Sequence, residues 1–536
     1  MPVKIDPELK LPAKFKEWRD DQYTALKTIT QSDKPFFLAD LPTGLGKSLI
    51  GVGTQRILKQ RLIYLTGTKQ LQDQVEHDFG DIVVTLKGRA NYPCRIREDV
   101  FPEITAEDCR AGKPRECEYY SECEYYQQKE RTRQADIVVL NNAYFLNEVN
   151  GFQSAFDGAG ILVVDEVDSL DNALMNYIEF KITSRQLEHY HLPFPDDPQV
   201  KESWLKWIPG AINHLEQQVS DSESRLHQCG FQNWGKTEIQ ENKKKKAMQK
   251  LIDKLSFIAS EADQNWIFYY EENKEKGYEF NFRPINVAKY AHRYLWDHAE
   301  FKVGMSGTIF SAEITCRELG IEDCDYLSLE SPFLVENRPI YYKPVVNLSK
   351  KTMSNQLPLL QKAIDQDLLK YPDQKVLIHT VSYQLRNYLR DTLTCQERLM
   401  THESDDREEA LESFKSSRRP LVMLSPSFDR GVDLPEADNC GVVMVCKMPY
   451  LSLGDPQVKA KVDLPGGWTW YALKACQTLV QMTGRSVRSP RQRCDTIIYD
   501  AQFSRLRSRM QEILPVWWQA AIREIDPGIA NTGLLI

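Results

Sequence analysis

Short, unbroken apolar runs alternate with amphipathic stretches at both ends of this chain, while its middle is polar with a helical period. "PFFLA" (residues 35–39) suits a strand buried on both faces, and "SLIGVGTQRILKQ" from Ser48 onward has the apolar spacing of a helix. "ILVV" (161–164) is a second such run and closes on Asp165, Glu166, Val167 and Asp168. "KVLIHT" (375–380), "PLVMLS" (420–425), "CGVVMVCKMP" (440–449) and "DTIIYD" (495–500) repeat the pattern in the C-terminal third. Strands of this kind, separated by helices, predict an α/β protein with two parallel sheets. Between Asp168 and "FRPINV" (282–287) the strand signals fade into polar helical sequence such as "HLEQQVSDSESRLHQ", and residues 284–308 return to the first sheet.

Composition narrows the class. A chain of 536 residues with 42% hydrophobic and 27% charged residues is long enough for about three or four domains. No apolar run is long enough to span a bilayer, and no charged-then-apolar leader opens the chain, so a cytoplasmic or nucleoid-associated protein without a membrane partner is expected. The net charge of −8 means that any nucleic acid is held by local basic patches against an overall repulsion.

The chemistry concentrates where strands end. "LPTGLGKS" (41–48) lies between a predicted strand and a predicted helix, although Leu41 stands where the usual phosphate-loop pattern has its first glycine. Thr43, Gly44 and Gly46 suit a backbone that wraps a phosphate, Lys47 neutralises the β and γ phosphates, and Ser48 suits Mg²⁺. Asp165 at the carboxyl end of its strand would hold Mg²⁺ through water, and Glu166 would orient and polarise the attacking water. In "QMTGRSVRSPRQR", Gln481, Gly484, Arg485 and Arg488 fall at intervals of three and four and predict one helical face. Arg485 and Arg488 there suit an arginine finger reaching a γ phosphate; a basic surface helix is the other reading.

Four of the twelve cysteines, Cys94, Cys109, Cys117 and Cys123, fall within one 30-residue stretch. They suit one metal centre that staples a small insert. Spacing alone leaves zinc and an iron–sulfur cluster both open. Tyr92, Tyr119, Tyr120, Tyr125 and Tyr126 around them offer faces for bases or simple packing, and Lys243 to Lys246 suit either a phosphate backbone or a solvated helix face.

The order of these motifs resembles the superfamily 2 helicases of the iron–sulfur branch represented by XPD and DinG. "LPTGLGKS" is similar to that family's motif I, "YLTGTKQLQDQV" to motif Ia, "DEVD" to motif II, "GMSGTI" to motif III, "FDRGVDLP" to motif V and "QMTGRSVR" to motif VI. "WRDDQ", with Arg19 and Gln22, stands in the place of the segment that contacts adenine. The resemblance implies two RecA-like parallel-sheet motor domains, the first carrying an iron–sulfur insert and a helical arch. The implied limits are 1–88, 134–175 and 282–312 for the first motor, 89–133 for the cluster insert, 176–281 for the arch and 313–536 for the second motor. It implies ATP, Mg²⁺ and a 4Fe–4S cluster on the four cysteines as cofactors. Asp433 and Gln481 join the nucleotide contacts, while Thr66, Thr68, Lys69, Ser382 and Ser425 contact the strand, with helix capping as the other reading of the hydroxyls. The implied activity is ATP-dependent helicase movement, 5′ to 3′ on single-stranded DNA, by an inchworm cycle. Single-stranded DNA and forked duplexes are the expected partners and R-loops a further one, in a monomeric protein of bacterial, archaeal or viral origin with a role such as DNA repair. A translocase that clears proteins or RNA from DNA without long unwinding, and an ATP-gated scaffold or redox sensor, are the competing functions.

Overall fold

The computed structural model describes residues 2–95, 103–109, 115, 117–151, 155–229, 234–273, 277–349, 351–428, 440–484, 487, 489 and 491–525. Two parallel sheets, each of seven strands among the described residues, organise the molecule. The first runs in the order Cys324–Ser328, Phe36–Asp40, Ala299–Ser306, Ala159–Asp165, Leu62–Thr66, Ile137–Asn141, Val84–Thr85. The second runs Leu399–Thr401, Val422–Ser425, Lys375–His379, Cys440–Val445, Asp495–Asp500, Ile340–Val346, Ile522–Glu524. Phe36, Phe37, Leu38, Ile63, Tyr64 and Leu65 are all buried because helices cover both faces of the sheet. In such sheets ligands gather beyond the carboxyl ends of the strands, where "LPTGLGKS" and Asp165 lie.

The chain leaves the first sheet twice. The cysteine-bearing segment lies between the strands Val84–Thr85 and Ile137–Asn141. The second excursion pairs two long helices, Lys201–Cys229 and Lys236–Glu261, with a three-stranded antiparallel sheet. That sheet, in the order Phe180–Thr183, Gly277–Pro284, Trp266–Asn273, corrects the expectation of a purely helical segment over 176–281. Alternation of Tyr278, Phe280 and Phe282 is the period-two signal; Phe280 and Phe282 turn inward on Trp204 of the first long helix. A second correction concerns the boundary at 312, since Cys324–Ser328 pairs in parallel with Phe36–Asp40 and so belongs to the first sheet. Among the described residues no helix is long and apolar enough to cross a membrane.

Candidate functional site

The strand Phe36–Asp40 ends in the glycine loop, and the helix Lys47–Leu58 begins at its far side. Leu41 is fully buried and donates its N–H to the Ser306 carbonyl at 2.6 Å, so at that position the first motor's core takes the place of a glycine. Gly44 and Gly46 have φ of +90° and +75°, a region that favours glycine. A Cβ on Gly44 would come within 2.3 Å of the Phe333 ring, so a side chain there is excluded by contact as well as by conformation. Arg19 and Gln22 brace the loop from behind. Arg19 donates from Nη1 to the Gly44 carbonyl at 2.7 Å, and Gln22 donates from Nε2 to the Leu45 carbonyl at 2.7 Å while accepting from the Arg19 N–H at 3.0 Å.

Tyr64 joins the loop to the acidic strand end. Its hydroxyl donates to Asp165 Oδ2 at 3.3 Å and also hydrogen-bonds the Ser48 side chain. The Tyr64 ring fits because Gly51, one turn into the loop helix, carries no Cβ; one there would lie 2.7 Å from the ring. Burial raises the Asp165 carboxyl above its ordinary range, while nearby Lys47 and the Glu166 N–H pull it back. Glu166 has φ of +58°, an unfavourable conformation for a residue with a Cβ, and its carboxylate lies 3.8 Å from the Lys47 ammonium. Strain of about 1–3 kcal/mol at such a residue is characteristic of sites where a side chain must be aimed.

Asp168, the last acid of the same run, ties the two motors together. It accepts from Ser306 Oγ at 2.6 Å, Thr308 Oγ1 at 3.1 Å and Gln481 Nε2 at 3.2 Å. Gln481 lies on the helix Gly467–Thr483 of the second motor, and from the same helix Gln477 donates to the Thr308 carbonyl at 2.7 Å and Lys474 pairs with Asp171 at 2.9 Å. Gln481 therefore serves as an inter-motor contact beside the cleft. This helix ends at Thr483 with Gly484 as its cap, so it carries Gln481. Arg485 and Arg488, like Asp433, lie outside the described residues. Thr43, Lys47, Glu166, Gln481, Phe333 and Arg338 line one cleft between the motors. A larger cavity, of about 700 Å³, opens at the amino ends of the second sheet among Lys375, Arg418, Arg491 and Arg493, away from these groups.

Just before the loop, Asp40 accepts from the N–H groups of Ile309 and Phe310 at 3.3 and 2.9 Å and from the Tyr326 hydroxyl at 3.3 Å. Burial outweighs these bonds and pushes its carboxyl up to about 6. A raised folded-state value means that the native protein binds the proton more tightly, so this group's stabilisation is complete below about pH 4 and is lost as pH rises through 6. Thermal unfolding followed from pH 4 to 7 is expected to show the wild type losing roughly 3 kcal/mol at most relative to Asp40→Asn across that window.

The expected strand contacts divide by burial. Thr66 and Ser425 are fully buried. Thr66 Oγ1 donates to the Thr68 carbonyl at 3.1 Å, and Ser425 Oγ bonds His402 Nε2 at 2.7 Å and accepts from the Phe428 N–H at 3.0 Å. Both hydroxyls are used internally, which corrects their assignment as direct phosphate contacts. Thr68 and Ser382 cap helices through the N–H groups of Leu71 and Leu385, and Lys69 reaches Asn91 at 3.2 Å. These three lie at helix starts beyond the carboxyl ends of their sheets.

Cys94, Cys109, Cys117 and Cys123 line one cavity, walled also by Tyr120 and Tyr126. Burial raises the Cys117 thiol, with the other three thiols adding to the rise. Among the described residues no three potential ligands converge closely enough to hold a single metal ion. Tyr125 is fully buried, with its hydroxyl 2.9 Å from that of Tyr144 and Arg89 over its ring, so it packs the module. The lysine run is drawn into the same module. Lys243 pairs with Asp108 at 2.9 Å, and Lys246 donates to the carbonyls of Cys109 and Glu107 at 2.9 and 3.2 Å. Ile104, Leu226, Trp234 and Ile239 pack there too, so the long helices and the cysteine segment form one continuous body.

Tyr64, Lys474 and Phe333 had no signal in motif spacing. The acid of "DEVD" at 168 was the nearest hint, and nothing in the sequence ties it to residues more than 300 positions away. Comparisons with known proteins follow the same lines. The model of a helicase C-terminal domain matches residues 366–521, and the DEAD_2 model matches residues 103–187. The ATP-dependent DNA helicase YoaA of Haemophilus influenzae is 22% identical, over 87% of this chain and 88% of that protein. YoaA of Escherichia coli is likewise 22% identical, over 85% of this chain and 87% of its own length. Among solved structures, an XPD helicase superposes with a TM-score of 0.62 at 16% identity, covering 95% of this chain and 99% of its own. Xpd4 of S. tokodaii does so at 0.55 and 14%, covering 94% and 98%. With two parallel sheets meeting at this cleft, the chain has the fold of the XPD helicases and is similar over most of its length to the DNA helicase YoaA.

Proposed function

We propose that this protein is an ATP-dependent DNA helicase that moves 5′ to 3′ on single-stranded DNA and opens forked duplexes. The observation that carries the reading is Asp168. One buried carboxylate at the end of the acidic strand is held by Ser306 and Thr308 of the first motor and by Gln481 of the second. A change at the acids is thereby felt by the other motor, as a machine that converts hydrolysis into relative motion requires.

In this reading the triphosphate lies in the glycine loop, with Thr43, Gly44 and Gly46 supplying backbone N–H groups and Lys47 the charge. Ser48 and Asp165, joined by Tyr64, would hold Mg²⁺, which neutralises phosphate charge. Glu166, aimed by its left-handed backbone, orients the attacking water. Arg485 and Arg488 would meet the γ phosphate from the second motor, with Gln481 and Asp433 beside them. Arg19 and Gln22 hold the loop's shape on the side where the base would lie. Thr68, Lys69 and Ser382 are the retained candidates for gripping the strand's phosphates, and an aqueous cytoplasmic or nucleoid setting suits that substrate.

The four cysteines fit a 4Fe–4S cluster. Their thiols line one cavity, and four cysteine thiolates are the ligand set that such a cluster takes. Such a cluster would supply iron–thiolate bonds that staple the segment. Lys246 and Lys243 then hold the stapled segment against the long helices, and in this reading the two together separate one strand from its complement.

ATP turnover measured with and without single-stranded DNA tests the reading, with strong stimulation expected. Asp168→Ala leaves three donors without their shared acceptor. It is expected to lower DNA-stimulated turnover about tenfold or more while ATP binding is kept. Stimulation undiminished in that variant would remove the coupling role.

A further inference from the structure

Arg338 lies on the segment that connects the last strand of the first sheet, Cys324–Ser328, to the strand Ile340–Val346 of the second. Its guanidinium is half-buried and its fork is fixed. Nε donates to the Phe333 carbonyl at 3.1 Å, Nη1 donates to the Trp517 carbonyl at 2.8 Å, and the group lies 5.0 Å from the centre of the Trp517 ring. Burial disfavours its charged form, with the charges of Glu330 and Glu336 partly offsetting that cost. A planar guanidinium whose fork is fixed at the wall of a cleft suits recognition of a phosphate.

The cleft that Arg338 lines names that ligand. Thr43, Lys47 and Glu166 face it from the first motor and Gln481 from the second. Arg19 and Gln22 are not among its walls, so the cleft belongs to the phosphate end of the site and not to the base. Phe333, whose carbonyl Arg338 holds, rests its ring on Gly44 of the glycine loop. A displacement of the loop is therefore transmitted to Phe333, through Arg338 to Trp517, and so into the second motor.

We propose that Arg338 is a linker-borne cation for the terminal phosphate of the bound triphosphate, and that through Phe333 and Trp517 it reports that phosphate to the second motor. This rests on the reading of the cleft as an ATP site and adds to it a residue outside the recognised helicase motifs. A diphosphate leaves the position empty, so Arg338 discriminates triphosphate from diphosphate.

The test is the affinity of the full-length protein for a non-hydrolysable ATP analogue and for ADP, each carrying a fluorescent ribose label, with Mg²⁺. Arg338→Gln is expected to weaken the triphosphate analogue about 10- to 100-fold, as loss of a charge-assisted bond does, and to leave ADP within about twofold. Arg338→Lys keeps the charge without the fork, and it too must lose triphosphate affinity more than diphosphate affinity; it carries the test where the glutamine variant fails to fold. Equal losses for both nucleotides, or none, would overturn the proposal while leaving the ATPase reading intact. A wild type that binds neither nucleotide would overturn both.

Discussion

Lys47→Ala is expected to lower ATP turnover by about a thousandfold or more, with or without DNA, measured as phosphate release from protein whose unfolding temperature is unchanged. Two effects combine. The ammonium is the cation at the start of the loop helix, where the β and γ phosphates must lie, and its loss leaves their charge unbalanced in a cleft partly closed to water. Lys47 also holds the buried Asp165 carboxyl down and stands 3.8 Å from Glu166. Without it Asp165 rises further towards its neutral form, which would weaken Mg²⁺ binding, and Glu166 loses the charge that restrains its carboxylate. Because the Lys47 side chain points into the cleft, its removal creates no core void, so lost turnover with an intact fold separates catalysis from stability.

The second large effect is expected at the cysteine module and runs the other way. Cys109→Ser should abolish visible absorption near 400 nm and lower unwinding of a forked duplex by about a hundredfold, while DNA-stimulated ATP turnover stays within several-fold of wild type. The reason lies in the division of the molecule. The glycine loop, Asp165, Glu166 and the contacts of Asp168 with Ser306, Thr308 and Gln481 are built on the two sheets and the helices that follow their strands. The segment instead packs with the long helices through Ile104, Leu226, Trp234 and Ile239 and through Lys246 on the Cys109 carbonyl. Loss of a ligand loosens that packing without touching the cleft. Iron content and strand displacement measured on one preparation check it; unwinding retained at the wild-type rate would detach the cluster from strand separation.

Local chemistry was legible in the sequence and partnership was not. "LPTGLGKS" and "ILVVDEVD" could be read because a phosphate loop and an acid-tipped strand each need a few residues in fixed order. The second sheet was legible for the same reason, its strands being short apolar runs with buried faces. Tyr64 could not be read, since an aromatic residue in a buried strand looks the same whether or not its hydroxyl meets Asp165 and Ser48. Thr66 and Ser425 show the converse: their place in the resembled helicase motifs suggested a phosphate contact, and only the fold reveals that both are enclosed. The strand Trp266–Asn273 was obscured because its aromatic residues run consecutively into Glu271 and Glu272, hiding the alternation that its partner displays. The last strand of the first sheet lies beyond the 312 boundary because its parallel pairing with Phe36–Asp40 is a long-range contact with no local mark.

Strand displacement tests the central claim most directly. A forked duplex with one labelled strand is incubated with the wild-type protein, Mg²⁺ and ATP, using substrates whose only single-stranded tail is either 5′ or 3′. The account predicts ATP-dependent release of the labelled strand from the 5′-tailed substrate, little from the 3′-tailed one, and none with Lys47→Ala. No release from either substrate by protein that binds ATP, or release that persists in Lys47→Ala, would contradict it.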